Sequence, residues 1–267
     1  MEKHSGLMEI GNLEKIKIVK PSKLESCKND FIKLLSDFCD FFFPRFCVSC
    51  FEKLPQDNKI LCVNCFKNLI PITEPKCGIC GDILTKKRLK DRCPSCPEPP
   101  IYFLFAESVF FYNDIISPVI RGIKYSGRRD AAELCGKLMM SYYWESLKDT
   151  KIDLIVPVPL HRIRLIRRGY NQAELLAQEI SKLAGIPLAS KILIRTRSTI
   201  KQSLLTPEKR KENVKNAFAV IYPEKIAGKR ILLIDDIITT GSTANECART
   251  LIAFGALDVI VFTLAHA

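Results

Sequence analysis

Two groups of residues in this chain have the types and spacing for chemistry. The first is eight cysteines in four Cys-x-x-Cys pairs: Cys47 and Cys50, Cys62 and Cys65, Cys77 and Cys80, Cys93 and Cys96. The spacers between pairs are 11, 11 and 12 residues. A Cys-x-x-Cys turn puts two thiolates on one side of a metal ion, and two turns complete a tetrahedral site. Four pairs therefore predict two structural Zn2+ sites. Sequential and cross-braced pairing both satisfy the spacing, and so does iron in place of zinc. Glycines in CGICG, residues 77–81, suit the tight turns of a zinc knuckle. The remaining cysteines, Cys27, Cys39, Cys135 and Cys247, lack this spacing and are expected to be packing residues.

The second group is ILLIDDIITTGST, residues 231–243. Four apolar residues predict a buried strand that runs into Asp235 and Asp236. A hydroxyl-rich loop follows, Thr239, Thr240, Gly241, Ser242 and Thr243, and then a helix. Free backbone N–H groups in such a loop and at the helix N-terminus bind phosphate, helped by the helix dipole. Gly241 lets the backbone approach the anion closely. The two acids would repel a bare phosphate. They make sense beside a ligand whose phosphate is joined to a vicinal diol, because a carboxylate accepts hydrogen bonds from both hydroxyls. A ribose 5-phosphate has both features.

A similar unit lies upstream. DLIVPVPLHRIRLIRRGYNQAELLA, residues 153–177, reads as a buried strand, a rigid loop and a helix. Arg162, Arg164, Arg167 and Arg168 follow its loop and would meet a strongly anionic ligand. Residues 161–215 carry thirteen Lys/Arg against four Asp/Glu, most of the chain's formal charge of +12, while 97–160 and 216–267 are each −1. Positive charge concentrated in one segment points to a polyanionic partner or a phosphorylated substrate, or else to a solvated basic face.

The elements that must position these residues are short apolar strands alternating with helices. Strands are expected at 104–112, 153–160, 231–235 and 258–265, and helices at 117–127, 131–143, 171–185 and 243–255. That alternation predicts an α/β domain, residues 103–267, with a parallel sheet covered on both faces. The cysteine-rich segment, 45–98, precedes it as a small zinc-ribbon domain, and CPEPP at 96–100 reads as a linker. Residues 1–26 are polar and read as a disordered tail. In 28–43, Phe31, Leu34, Leu35, Phe38, Phe42 and Phe43 come close to helical spacing and predict an amphipathic helix. No apolar run is long enough for a membrane span. The N-terminus lacks the apolar centre and cleavage site of a signal peptide, so a cytoplasmic location with reduced cysteines is expected.

The stretch from Ile231 to Thr243 resembles the VxxDDxxTTGxT signature of type I phosphoribosyltransferases. That resemblance implies that Asp235 and Asp236 hold the ribose hydroxyls of phosphoribosyl pyrophosphate (PRPP). Thr239, Thr240, Gly241, Ser242 and Thr243 would hold its 5-phosphate. It further implies that Val158, Pro159, Leu160 and His161 form the loop for pyrophosphate and its Mg2+. Residues 195–218 correspond to the mobile loop that closes over the transition state. Purine-salvage members usually carry an Asp where Thr239 stands, so an ordinary purine-salvage activity is not expected. Lys124, Tyr125 and the 104–112 strand are the acceptor-side candidates.

The whole arrangement is similar to the ComF competence-protein family. The cysteine-rich segment carries the likeness together with IKYSGRRDAAELCGKLM (123–139), RRGYNQAELLA (167–177), QSLLTPEKRKENVKNAF (202–218) and the PRPP motif. It implies a role in natural transformation, with single-stranded DNA as a partner through Arg162, Arg164, Arg167 and Arg168. A competence helicase or other DNA-uptake proteins are further expected partners. PRPP would be substrate or effector, and no residue is singled out as catalytic. The alternative is a metabolic phosphoribosyltransferase acting on a small acceptor.

Overall fold

The structure is a computed structural model and describes residues 45–55, 60–84, 93, 96–97, 99–125, 129–197 and 206–267. The tail at 1–26 and the helix expected at 28–43 lie outside the described residues. The cysteine-rich part and the α/β part belong to one compact unit, Arg45–Ala267.

The sheet has four parallel strands: β1 (Ala106–Phe111), β2 (Leu154–Pro157), β5 (Arg230–Ile238) and β6 (Asp258–His266), in the order β1-β6-β5-β2. Its two central strands read as apolar runs because both faces are covered. Leu232, Ile234, Ile260, Phe262 and Leu264 point to one layer, and Ile231, Leu233, Val259 and Val261 to the other, the period-two alternation of a strand. The first layer holds α2 (Ile116–Tyr125), α3 (Arg129–Ser146) and α5 (Gln172–Ala184) through Ile120, Met139, Leu176 and Ile180. The second holds α7 (Ser242–Ala253) through Cys247, Ala248 and Leu251. Cys135 and Cys247 are buried among these apolar residues, as their lack of metal spacing predicts.

Three details differ from the sequence expectation. β5 does not stop at the acids; it continues to Ile238, so both carboxylates sit within a strand. Its pairing with β6 extends to Ile238 opposite His266, which holds the backbone extended beyond the acids. The rigid loop after β2 is short, and the arginines form a two-turn helix, α4 (Arg162–Arg168), closed by Gly169. The basic segment expected to be a mobile loop is anchored at both ends. Its flanks form β3 (Leu193–Arg195) and β4 (Phe218–Val220), an antiparallel pair, with α6 (Pro207–Val214) between them. Residues 198–205 lie outside the described residues.

The cysteine-rich part is joined to the edge of the sheet rather than tethered beside it. The α1 turn (Val63–Lys67) belongs to its first half. Ile72 N donates to Val109 O and Phe111 N to Ile70 O, so residues 70–72 run antiparallel along β1. Ala106 N donates to Ile79 O at 2.7 Å. The approach is so close at Gly81 that a β-carbon there would lie 2.5 Å from Ala106 O. Lys76, half-buried at this seam, pairs with Glu107 at 2.8 Å and donates to Tyr142 OH at 3.0 Å. No helix among the described residues is long and apolar enough to cross a membrane.

Candidate ligand and metal sites

Asp235 and Asp236 open into a cavity of about 660 Å3 at the C-terminal ends of β2 and β5, where parallel α/β sheets bind ligands. Asp236 is 4% exposed. Lys124, at the end of α2, forms an ion pair with its Oδ2, and Gln172 Nε2 donates to its Oδ1 at 3.4 Å. The Asp236 backbone N–H donates to Asp235 Oδ1 at 2.8 Å. This environment separates the two acids. Burial and the neighbouring Asp236 charge push Asp235 well above the usual carboxylate range. Burial acts the same way on Asp236, but Lys124 and the hydrogen bonds from Asp235, Lys124 and Gln172 outweigh it and hold Asp236 below that range. The two neighbouring acids are thus pushed in opposite directions, with Lys124 favouring the ionised form of Asp236.

The loop after β5 lines the same cavity with Thr239, Thr240, Gly241, Ser242 and Thr243. Gly241 has a φ of 66° and stands at the N-cap of α7 with no side-chain cap. The positive end of this twelve-residue helix dipole therefore meets the cavity without a side-chain cap in front of it. Thr240 Oγ1 and Ser242 Oγ lie 2.9 Å apart, and Arg210 of α6 donates to Thr239 Oγ1 at 3.2 Å.

Across the cavity, Val158, Pro159 and Leu160 form its wall. Their loop is fixed by Val158 N donating to Ile234 O and by Asn171 Nδ2 donating to Val158 O. Asn171 also caps α5. His161 is not among the lining residues; its Nδ1 accepts from Ile163 N at 3.3 Å and caps α4. The four arginines divide. Arg164, Arg167 and Arg168 line the cavity, while Arg162 is exposed and does not. Arg195 and Arg210 line it as well, Arg195 from a strand end whose backbone pairs with His161. Burial lowers the proton affinity of Arg164 and of Arg195, each also opposed by other arginines.

Sequence reasoning did not single out Gln172, Arg195 or Arg210. Gln172 reads as an ordinary first-turn helical residue, and its role depends on β2 lying next to β5. Arg195 and Arg210 stood inside a recognised basic segment with nothing local to mark them. Together with Arg164, Arg167 and Arg168, the two arginines make the cavity strongly cationic, suited to a ligand with several phosphoryl groups.

The thiols form two groups, Cys47/Cys50/Cys62/Cys65 and Cys77/Cys80/Cys93/Cys96. The pairs thus combine sequentially. Within each group the ligand atoms lie within 4.8 Å of one another. Sγ···Sγ distances of 3.6 Å (Cys50–Cys62, Cys77–Cys96) and 3.7 Å (Cys93–Cys96) approach the ~3.8 Å edge of a tetrahedron with zinc–sulfur bonds. Burial raises the Cys47 and Cys77 thiols, but backbone N–H groups outweigh it and bring them down to about 7 and about 6. Burial pushes Cys80 far up. Such a set favours a dication that removes the remaining protons. The donor set fits zinc.

A model of the double zinc ribbon domain matches residues 38–98, and one of the phosphoribosyl transferase domain matches residues 133–267. Competence protein F of Haemophilus influenzae is 31% identical over 230 residues, spanning 85% of this chain and 99% of that protein. The chain belongs to the ComF family. DNA utilization protein YhgH of Escherichia coli is 34% identical over 193 residues, covering 71% of this chain and 83% of that protein. Competence protein ComFC of Bacillus subtilis is 30% identical over 221 residues, covering 79% and 85%. In this ComF-family chain, the second cysteine group adjoins the hydroxyl-rich loop after β5. Pro97, one residue beyond Cys96, packs against Gly241. Asn245 of α7 accepts from Tyr102 N at 2.8 Å and donates to Pro100 O at 3.0 Å. The proline-rich stretch is therefore tied to α7.

Proposed function

We propose that this chain binds PRPP and acts in DNA uptake, with single-stranded DNA as its macromolecular partner. The observation that carries the reading is the convergence of three groups in one cavity: the Asp235–Asp236 pair, the uncapped N-terminus of α7 and a ring of cations. The acids accept the ribose hydroxyls. The loop 239–243 and the α7 N–H groups hold the 5-phosphate. Val158, Pro159 and Leu160 face the pyrophosphate, with Arg164, Arg168 and Arg195 supplying charge. Mg2+ accompanying PRPP supplies further neutralisation of the pyrophosphate. Lys124 holds Asp236 ionised before the ligand arrives, so an acceptor is in place for the diol. The relatives named for competence and DNA utilization support the DNA-uptake role.

The test is calorimetric titration of the full chain with PRPP, ribose 5-phosphate and inorganic phosphate, beside anisotropy of a labelled oligothymidine. PRPP is expected to bind more tightly than ribose 5-phosphate, and the oligonucleotide to bind with an affinity that falls steeply with salt. Absence of PRPP binding overturns the ligand assignment. Salt-independent or absent DNA binding overturns the partner.

The size of the cavity favours a second reading, transfer of the phosphoribosyl group to a small acceptor. Tyr112 and Thr263 line it in addition to the residues assigned to PRPP, leaving room for another molecule. Mass spectrometry of a reaction of PRPP, Mg2+ and a metabolite extract separates the two. One new phosphoribosylated product with matching pyrophosphate release supports transfer.

A further inference from the structure

We propose that PRPP and single-stranded DNA compete for one set of arginines, so that each weakens the binding of the other. The inference rests on the reading above and concerns how its two ligands share a site. Three of the four arginines expected to meet DNA, Arg164, Arg167 and Arg168, line the same cavity as Asp235, Asp236 and the 239–243 loop. They lie on α4, a seven-residue helix with no buried residue, bounded by the His161 cap and Gly169. The helix has two aspects. Arg164 and Arg168 are half-buried towards the cavity, whereas Arg162 and Arg167 are exposed.

Arg168 is also connected to the acids. Its guanidinium donates to Gln172 Oε1, and Gln172 Nε2 donates to Asp236 Oδ1 at 3.4 Å. It lies 5.3 Å from the centre of the Tyr125 ring, which is 66% exposed at the cavity. A strand of DNA passing over α4 thus meets Arg162 and Arg167 directly and reaches Arg164 and Arg168 only through the cavity mouth. Pyrophosphate in the cavity neutralises the inward pair and draws on Arg167. The phosphates of DNA then lose up to three cations and meet a like charge behind them. Linkage makes the effect reciprocal, since a factor lost by one ligand is lost equally by the other.

Competition would be measured with the full, zinc-loaded chain at fixed Mg2+ and fixed ionic strength. Anisotropy of a labelled oligothymidine is followed with and without saturating PRPP. DNA affinity is expected to fall by roughly 5- to 150-fold, the usual span of coupled sites. The log–log salt slope should become shallower by roughly 0.7 for each arginine withdrawn. Saturating oligothymidine should weaken PRPP in calorimetry by the same factor. Ribose 5-phosphate fills the acids and the loop but carries no pyrophosphate, so it should displace far less DNA than PRPP does. With Asp235→Asn and Asp236→Asn combined, PRPP should lose its effect at concentrations that suffice for the unaltered protein. A protein that binds both ligands, yet shows equal or tighter DNA binding with PRPP present, overturns the competition alone. Failure of either ligand to bind by itself overturns the preceding reading, and this one with it.

Discussion

Pro97 lies directly beneath Gly241: a β-carbon placed on the glycine would meet Pro97 Cγ and Cδ at 3.3 Å. The contact joins the residue after the last cysteine of the second group to the centre of the hydroxyl-rich loop. Gly241 also has a φ of 66°, a left-handed conformation that costs a non-glycine residue about 1–3 kcal/mol. Gly241→Val, branched at Cβ, meets both obstacles. It is expected to abolish binding of PRPP and of inorganic phosphate alike in calorimetric titration. Gly241→Ala should weaken both and retain part of the affinity. Unaltered phosphate affinity in the valine variant would remove the loop from the ligand site.

The two cysteine groups should differ in their effect on the cavity. Elemental analysis of protein purified without chelator is expected to find one zinc for each group. Loss of the second ion, through Cys80→Ser with Cys93→Ser, frees Pro97 and the stretch that Asn245 holds, and should weaken PRPP binding. Loss of the first ion, through Cys62→Ser with Cys65→Ser, should unfold its own half of the ribbon and leave most PRPP affinity. Equal loss of affinity in the two variants at unchanged melting temperature of the α/β part would contradict this difference.

The two acids should respond to substitution with opposite signs. Asp235 has a raised folded pKa, so its contribution to stability is present below its unfolded value and is lost as pH rises towards the folded one. Asp235→Asn removes that loss. The ligand-free variant should melt higher than the unaltered protein, by a margin that widens as pH rises above about 4. Asp236 has a lowered folded pKa, so its contribution is present above the ordinary carboxylate range and is lost as pH falls through the lower value. Asp236→Asn leaves half-buried Lys124 without its principal partner and should cost about 1–3 kcal/mol at neutral pH. PRPP affinity should fall in both variants by roughly tenfold to a hundredfold, the equivalent of one charge-assisted hydrogen bond. Calorimetric melting across pH 4 to 8, with PRPP titrations at neutral pH, checks both signs. A destabilised Asp235→Asn variant would show that the acid serves the fold.

Arg210 couples the basic segment to the 239–243 loop through Thr239. Arg210→Ala is expected to weaken PRPP by roughly tenfold, by loss of a hydrogen bond to a charged ligand. Arg210→Lys should recover part of that loss, since it keeps the charge without the planar fork. Surface plasmon resonance with PRPP over both variants provides the comparison. Identical affinities for the alanine variant and the unaltered protein would limit Arg210 to holding α6.

Features carried by contiguous residues were legible in the sequence alone. Four Cys-x-x-Cys turns bring their thiols together through local backbone geometry, so two metal groups follow from spacing. The acids, the loop and the start of α7 are likewise consecutive, and a strand leading into a helix aims them at one point. The apolar runs of β5 and β6 marked a sheet covered on both faces for the same reason. Tertiary structure decided what arrives from elsewhere. Lys124 reaches Asp236 from 112 positions away in the chain because α2 packs against the sheet, and Gln172 reaches it because β2 pairs with β5. Which arginines face the cavity depends on the pose of α4, whose seven residues alternate without a clean amphipathic period and bury none. His161 turned to cap that helix because its N–H groups needed an acceptor. Sequential rather than cross-braced cysteine pairing and the seat of Pro97 against Gly241 are likewise set by tertiary packing that the spacing leaves open. Periodicity and spacing report the local backbone, whereas a cavity is made by side chains converging from separate elements, and only the packing of those elements sets the distances between them.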